Sequence, residues 1–165
     1  QRIQLIFPRP EDVEACVTRY GINGFYDSIE ARKACCHARK VEPLQRVLAG
    51  KGAWVTGLRA AQSATHTNVA PIAPDAVNGL VKVSPLADWT EEEVWAYIHA
   101  HNMPYNALHD RGYPSIGCAP CTRAIEPGED IRAGRWWWEN PQTKECGLHM
   151  VDGRLRRIVK EGTSS

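Results

Sequence analysis

The sequence contains 165 residues, enough for one domain with a hydrophobic core that needs no disulfides. A formal net charge of +1 argues neither for nor against nucleic-acid binding, and hydrophobic residues make up an ordinary 43% of the chain. No stretch approaches the roughly 20 apolar residues of a membrane span, and none has the pattern of a secretion signal. We therefore expect a soluble, cytoplasmic protein that contacts neither membrane nor nucleic acid.

Cysteines are the most informative part of the composition, and the chain has six of them: Cys16, Cys35, Cys36, Cys118, Cys121 and Cys146. Three disulfides would suit a secreted chain, but two adjacent cysteines cannot comfortably bridge to each other. In a reducing compartment, clustered cysteines more often hold metal or carry out redox chemistry. The pattern therefore favours metal or thiol chemistry.

The beginning of the chain reads as though it starts in mid-fold. Residues 3–7 are apolar as in a buried strand, and Gln1 is not an initiator Met, so we expect the first part of the protein to be missing. A helix should follow, because Pro10 suits a first turn and Gly21 suits a helix end. Cys16 falls on the apolar face of this helix, where we expect it to pack.

A second predicted helix carries the adjacent cysteines. Ser28 can cap this helix, and Cys35 and Cys36 project about 100° apart, so both cannot enter one apolar core. Lys40 lies four residues after Cys36, on the same face. Several cations flank the pair, and they form either a solvated basic face or the charge balance for an anionic centre or substrate: Arg32, Lys33, Arg39, Lys40 and Arg46.

The middle of the chain predicts two strands and a third helix. Residues 53–57 suggest a short buried strand, and Arg59 follows it at the position where open α/β sheets place ligands. Residues 64–79 are expected to form a loop or a sheet edge, whereas residues 80–85 alternate as a strand does. Thr90 begins a capping box for the helix.

A Cys-x-x-Cys stretch organises the second half of the chain. Gly117 and Pro120 force a tight turn, so that Cys118 and Cys121 can point to one centre. The thiols of this turn need partners, and the adjacent cysteines far upstream can provide them.

Two arginines after this turn indicate an anion site. Arg132 and Arg135 are three residues apart, which places both guanidiniums on one helical face and suits phosphate or sulfate. Pairing with Glu129 or Asp130 is the alternative. The tryptophans at positions 136–138 are expected to serve packing.

The last part of the chain has neither a helical nor a strand period. Cys146 lies here, with Lys144 and His149 nearby. Positive charge favours the thiolate form, which is the attacking form of cysteine. This segment therefore predicts a reactive thiol on a supple tail.

The four thiols outside the tail and the first helix leave three interpretations open. Zinc ribbons normally use two Cys-x-x-Cys knuckles round one ion. Adjacent cysteines suit a larger [4Fe–4S] cluster better, because each can reach a different iron. Unmetallated thiols are the third interpretation.

Five groups of residues occur in order: Cys35-Cys36 with Lys40, Gly57-Leu58-Arg59 with Gln62-Ser63, Cys118 and Cys121 with Thr122-Arg123, Arg132-Ala133-Gly134-Arg135-Trp136, and Glu145-Cys146-Gly147-Leu148-His149. Together, over about residues 1–150, they resemble the assimilatory adenylylsulfate (APS) reductases, the iron–sulfur branch of the APS/PAPS reductase family. The resemblance implies an α/β fold of the nucleotide α-hydrolase-like (PP-loop) type, with a sheet flanked by helices. Residues 1–140 would form a partial reductase domain, and residues 141–165 a flexible tail with the catalytic cysteine.

The resemblance also assigns roles. It implies a [4Fe–4S] cluster on four ligands: Cys35, Cys36, Cys118 and Cys121. It implies that Cys146 is the nucleophile and that five residues serve the substrate: Lys40, Arg59, Arg132, Arg135 and His149. The Cys146 thiolate would attack the sulfur of APS and release AMP, and thioredoxin or a similar dithiol would then release sulfite. A homo-oligomer is compatible with this expectation.

Three other functions compete with this one. The first is reduction of the 3′-phosphorylated nucleotide PAPS, whose reductases typically lack both cysteine pairs. The second is a zinc-stabilised binding module with four cysteine ligands and no catalysis. The third is a cluster-bearing ligase that thiolates RNA.

The sequence departs from the family's pattern in two places. The family carries an N-terminal strand and a Ser/Gly-rich phosphate-binding loop ahead of the point where this sequence begins, and we find no such loop in this sequence. In addition, residues 64–67 read Ala-Thr-His-Thr, where relatives often carry an arginine.

Overall fold

The computed structural model describes residues 3–62 and 69–140. This part contains four α-helices and three β-strands: α1 (Pro10–Tyr20), α2 (Ile29–Cys36), α3 (Glu42–Leu48), α4 (Glu91–Ala100), β1 (Ala53–Val55), β2 (Ile72–Asp75) and β3 (Leu80–Val83). A π-helical segment, His37–Val41, joins α2 to α3. None of the helices in this part is both long enough and apolar enough to cross a membrane.

The predicted helices in the first half are confirmed. Pro10 is the first residue of α1, and Ser28 caps α2 because its Oγ accepts a hydrogen bond from the Ala31 N–H at 3.1 Å. The predicted strand at residues 3–7 is wrong, since this segment has no regular structure and Leu5 is 76% exposed. A strand needs a neighbour to accept its backbone hydrogen bonds, and residues 3–7 have none among the described strands.

The three strands form one small sheet in the order β1-β3-β2. The central strand β3 pairs with β1 in parallel and with β2 in antiparallel orientation. The prediction of a buried β1 is wrong, because Val55 is 70% exposed. β1 is an edge strand, and alternate residues of a strand face the same side, so Ala53 is exposed together with Val55.

The helices of the first half pack against one another. α1, α2, the π-helical segment and a 3₁₀ turn at Gly24–Tyr26 contact each other, and this packing brings the cysteine-bearing end of α2 inside the molecule. Cys36, Cys121 and Trp136 are among the buried hydrophobic residues. The observed architecture is thus a mixed α/β fold in which a small sheet is flanked by helices, as predicted.

Candidate functional site

The Cys-x-x-Cys turn is held by its own backbone. The Cys121 N–H donates to the Cys118 carbonyl at 2.9 Å, which closes a 3₁₀ turn over Ala119–Cys121. The Thr122 hydroxyl donates to the same carbonyl at 2.9 Å and accepts the Gly117 N–H at 3.1 Å. The tight turn is confirmed, and it leaves Cys118 exposed and Cys121 buried.

One long-range hydrogen bond attaches this turn to the beginning of the cysteine-bearing helix. Tyr26, just before α2, donates its hydroxyl to the Pro120 carbonyl at 2.8 Å. The Tyr26 ring also packs edge-on against Trp138, at 4.5 Å between ring centroids. The sequence analysis did not single out Tyr26, because its partner lies in a distant part of the chain.

Electrostatics show that the four thiols outside α1 lie near one another. Burial and, to a lesser extent, the negative charges of Cys118, Cys36 and Cys35 together raise the pKa of the Cys121 thiol to about 11, against the lowering effect of Arg135. Charges interact weakly once they are separated by more than about 10 Å in salt solution. The two cysteine pairs, distant in sequence, are therefore brought to one place.

The α2 pair sits where the helix changes its winding. Cys36, the last residue of α2, is buried, whereas Cys35 is half-buried. Lys40 follows, half-buried, in the π-helical segment, a structure that is rare and often found at functional sites. Cys16 on α1 is half-buried; burial raises the pKa of its thiol, and the charge of Cys35 adds to the effect.

The four converging thiols are the candidate ligands for a metal group. Within residues 3–62 and 69–140, no three His, Cys, Asp or Glu side chains are grouped to hold a metal ion.

Arg132 and Arg135 do not lie on a helix, so the prediction of a shared helical face is wrong. The chain forms turns at positions 130–134, and Thr122 and Arg135 form an isolated antiparallel bridge. The Gly134 carbonyl accepts the backbone N–H of Arg123 at 3.0 Å, so the segment around Gly134 pairs with the segment around Arg123 and does not form a helix. A side chain at Gly134 would collide with the Arg123 carbonyl.

The structure places Arg135 beside the Cys-x-x-Cys turn, whereas the backbone N–H of Arg132 makes a local contact. Arg135 is buried, and its guanidinium donates to the Ile116 carbonyl at 3.2 Å. Arg132 is half-buried, and its backbone N–H donates to the Asp130 carboxylate at 2.8 Å. Glu129, the other predicted partner, forms an ion pair with Arg123 at 2.7 Å.

The remaining predicted site residues lie elsewhere or outside the described residues. Arg59 is buried after β1, with its guanidinium 3.8 Å from the carboxylate of Glu91 at the start of α4. Residues 63–68 fall outside the described part. Cys146 and His149 do so as well, together with the whole predicted tail at 141–165.

Arg32 is a residue whose position the sequence analysis missed. We had counted it among the cations of a solvated face or of a charge balance, but its side chain is 0% exposed and forms an ion pair with Glu139. Its guanidinium carbon also lies 4.5 Å from the centre of the Trp136 ring. The only signal in the sequence is that Arg32 precedes Cys36 by four residues, which places both on one helical face.

A sequence profile of the phosphoadenosine phosphosulfate reductase domain matches residues 2–124. The chain belongs to this family. Similar curated proteins include the adenosine 5′-phosphosulfate reductases of Allochromatium vinosum (64% identical; 90% of this chain and 58% of the relative), Burkholderia cepacia (58%; 90% and 60%) and Rhizobium tropici (54%; 90% and 83%). The chain thus spans about three fifths of the length of the first two relatives.

A solved structure of the family supports the fold. The crystal structure of phosphoadenylyl-sulfate (PAPS) reductase from Candida auris, a phosphate complex, is 31% identical and matches with a TM-score of 0.52. The match covers 65% of this chain and 50% of that one. The predicted family membership and α/β fold class are both confirmed.

Proposed function

We propose that this protein reduces adenylyl sulfate (APS) to sulfite and AMP in sulfate assimilation, as an adenylyl-sulfate reductase. The observation that carries the proposal is the hydrogen bond from the Tyr26 hydroxyl to the Pro120 carbonyl at 2.8 Å, which attaches the turn of Cys118 and Cys121 to the start of the helix that bears Cys35 and Cys36. The names of the similar curated proteins support the same reaction. The proposal extends to the cytoplasm as its location and leaves room for a homo-oligomer.

The reaction assigns the chemistry to one thiol. The Cys146 thiolate attacks the sulfur of APS, the bond from sulfur to the phosphate oxygen breaks, and AMP leaves. A sulfite group then remains on Cys146 as S-sulfo-cysteine. One thiolate of a reduced dithiol such as thioredoxin attacks the Cys146 sulfur and expels sulfite, and its second thiol resolves the mixed disulfide. The dithiol supplies both electrons and becomes a disulfide.

Cationic residues offset the charge of the nucleotide and of the departing AMP. We assign this role to Lys40, Arg59, Arg132 and Arg135, with His149 in the segment of the nucleophile. Arg135 is the member of this set whose charge already acts on the Cys-x-x-Cys turn, since it lowers the pKa of Cys121. The body at residues 1–140 would present these groups to a tail at residues 141–165.

The thiols fit a [4Fe–4S] cluster. Such a cluster takes four thiolates, each on a different iron, so its donors stand further apart than those round one zinc ion. Among the described side chains no three are grouped to hold a metal ion, so the support for the cluster is the electrostatic interaction of Cys121 with Cys118, Cys36 and Cys35. When bound by these cysteines, the cluster would supply negative charge beside the cationic residues.

Replacement of the nucleophile tests the reaction. In the full-length protein, Cys146→Ser should abolish sulfite formation from APS, because serine cannot form S-sulfo-cysteine, while iron and acid-labile sulfide stay at wild-type levels. Cys16→Ala is the matched control, since Cys16 lies on α1 with a packing role, and it should keep its activity. Sulfite formation at the wild-type rate by Cys146→Ser would exclude this mechanism.

Reduction of PAPS is the second candidate, because the similar solved structure carries that name. Rates of sulfite release from APS and PAPS at equal concentrations decide between the two nucleotides. A zinc-stabilised module without catalysis is separated by metal analysis: one zinc without sulfide would support it, whereas iron with sulfide supports the reductase.

A further inference from the structure

A buried ion pair joins α2 to the segment that precedes the tail. The side chain of Arg32 is 0% exposed and that of Glu139 is 5% exposed, and two hydrogen bonds connect them: Nε donates to Oε1 at 2.5 Å and Nη2 donates to Oε2 at 2.9 Å. Removing two charges from water is costly, and apolar residues in the same space are often as stabilising. A gain in stability is thus a weak explanation for such a pair. The orientation that the pair imposes on neighbouring side chains is a better explanation.

Arg32 and Arg135 both pack over the ring of Trp136. The guanidinium carbon of Arg32 lies 4.5 Å from the centre of the Trp136 ring, and that of Arg135 lies 4.6 Å from it. We call this arrangement the Arg–Trp–Arg stack. Two cations against one ring repel each other, and the carboxylate of Glu139 on Arg32 offsets part of that repulsion.

Trp136 is held in a conformation that its own backbone disfavours. Its φ is +42°, a left-handed value that is unfavourable for a residue other than glycine. The surrounding contacts maintain this conformation: Trp136 is 1% exposed, and its backbone N–H donates to the Cys121 carbonyl at 3.1 Å. Strained residues of this kind persist where the structure around them demands it, often at functional sites.

Arg135 receives its orientation from this stack. Besides this stack, the Arg135 guanidinium donates to the Ile116 carbonyl and lies against Gly117, where a Cβ would collide with it. Trp136 is therefore the link through which Arg32 and Glu139 can act on Arg135.

We propose that Arg32 and Glu139 are positioning residues, which hold Arg135 through Trp136 in the orientation that receives the anionic part of the nucleotide. The proposal rests on the proposed function. It adds that the buried pair determines substrate affinity although neither residue touches the substrate. The pair also ties the cysteine-bearing helix to a point seven residues before Cys146.

The test measures nucleotide affinity without turnover. Arg32→Lys keeps the charge but loses the planar fork and its stacking. In full-length protein that also carries Cys146→Ser, we expect the dissociation constant for APS to rise about tenfold, since small displacements of a positioning group have effects of this order or larger. Glu139→Gln, which keeps the shape of the side chain, should raise it in the same direction. Iron and sulfide content should not change.

Arg19→Lys is the matched control. Arg19 also pairs with a glutamate, Glu30 at 3.2 Å, and lies over an aromatic ring, that of Tyr20 at 5.0 Å, but on the exposed surface. Its affinity for APS should equal that of the parent. A merely structural role for Arg32 would lower the melting temperature without changing the affinity of the folded protein.

A double-mutant cycle identifies the route of the effect. If Arg32 acts through Arg135, then Arg32→Lys should have no further effect on APS affinity once Arg135→Ala is present. Additive effects would overturn the proposal. Unchanged APS affinity in folded Arg32→Lys and Glu139→Gln would overturn it as well. Failure of both variants to fold would also overturn it, because the ion pair would then serve only the fold. Wild-type protein that neither binds APS nor forms sulfite would refute the proposed function itself, and this proposal with it.

Discussion

Gly117 shows how a missing side chain determines the position of a charged one. A Cβ at this position would lie unacceptably close to three atoms of the Arg135 guanidinium, namely Nη2, Cζ and Nε. The sequence analysis attributed Gly117 to the tight turn alone. Its second role, to leave room for a buried arginine beside the cysteines, depends on a residue far along the chain.

We expect Gly117→Ala to displace Arg135. Overpacking of a filled site typically costs about 1–3 kcal/mol in the free energy of unfolding, and APS affinity should fall as Arg135 moves. Urea unfolding and nucleotide binding measure the two effects. Gly52→Ala is the control, because a Cβ there meets nothing within 4 Å, and it should change neither quantity. Wild-type affinity in Gly117→Ala would contradict the role that we assign to Arg135.

At the scale of the element, α4 depends on its first turn. No residue of this helix is fully buried, although Val94, Trp95 and Ile98 are half-buried, so the contacts of its first turn are a substantial part of what holds it. The predicted capping box is present: the Thr90 hydroxyl accepts the Glu93 N–H at 3.1 Å, and the Glu93 carboxylate accepts the Thr90 N–H at 2.8 Å. Local sequence is therefore sufficient to explain where this helix begins.

Thr90→Ala should lower the free energy of unfolding by about 1 kcal/mol, because it removes the hydroxyl that satisfies one of the free N–H groups of the first turn. Thr90→Ser keeps the hydroxyl and should stay close to wild type. Urea unfolding followed by circular dichroism distinguishes them. Equal losses in both variants would indicate that the methyl group of Thr90, and not the cap, stabilises the helix.

At the scale of the whole molecule, Asp75 connects all three strands. It ends β2, accepts the Trp54 indole N–H from β1 at 3.0 Å, and lies 3.9 Å from the Lys82 ammonium on β3. Burial raises the pKa of this carboxyl, but hydrogen bonds from Asn78 and Trp54 and the charge of Lys82 outweigh burial and leave the pKa below its ordinary value. The folded protein therefore favours the ionised form.

Because the pKa of Asp75 is lowered, the stability of the protein should depend on pH in the acidic range. The contribution of the Asp75 carboxylate to the free energy of unfolding is fully present above the pKa of an aspartate in the unfolded chain, about 3.9. This contribution is lost as the pH falls through the lower pKa of Asp75 in the folded protein. At pH 7, Asp75→Asn should cost about 1–3 kcal/mol, and its difference from wild type should shrink below about pH 4. Unfolding in urea at several pH values measures this. Asp88→Asn is the control, and it should have almost no effect because Asp88 is exposed. A pH-independent loss of unfolding free energy in Asp75→Asn would contradict the electrostatic explanation.

The sequence by itself determined the features that depend on near neighbours. The caps at Ser28 and Thr90 and the turn at Cys118–Cys121 are each made by residues within four or five positions, so their residue types suffice to predict them. The ordered motifs also identified the family and, with it, the fold class.

Only the tertiary structure decided how distant segments meet. It buried Arg32 against Glu139, attached Tyr26 to Pro120, and replaced the expected helix at Arg132 with turns that run beside Arg123. Each partner lies in another part of the chain, and a charged side chain follows the same local rules whether it is solvated or buried in an ion pair. Burial and long-range pairing depend on how the whole chain excludes water, which no local pattern specifies.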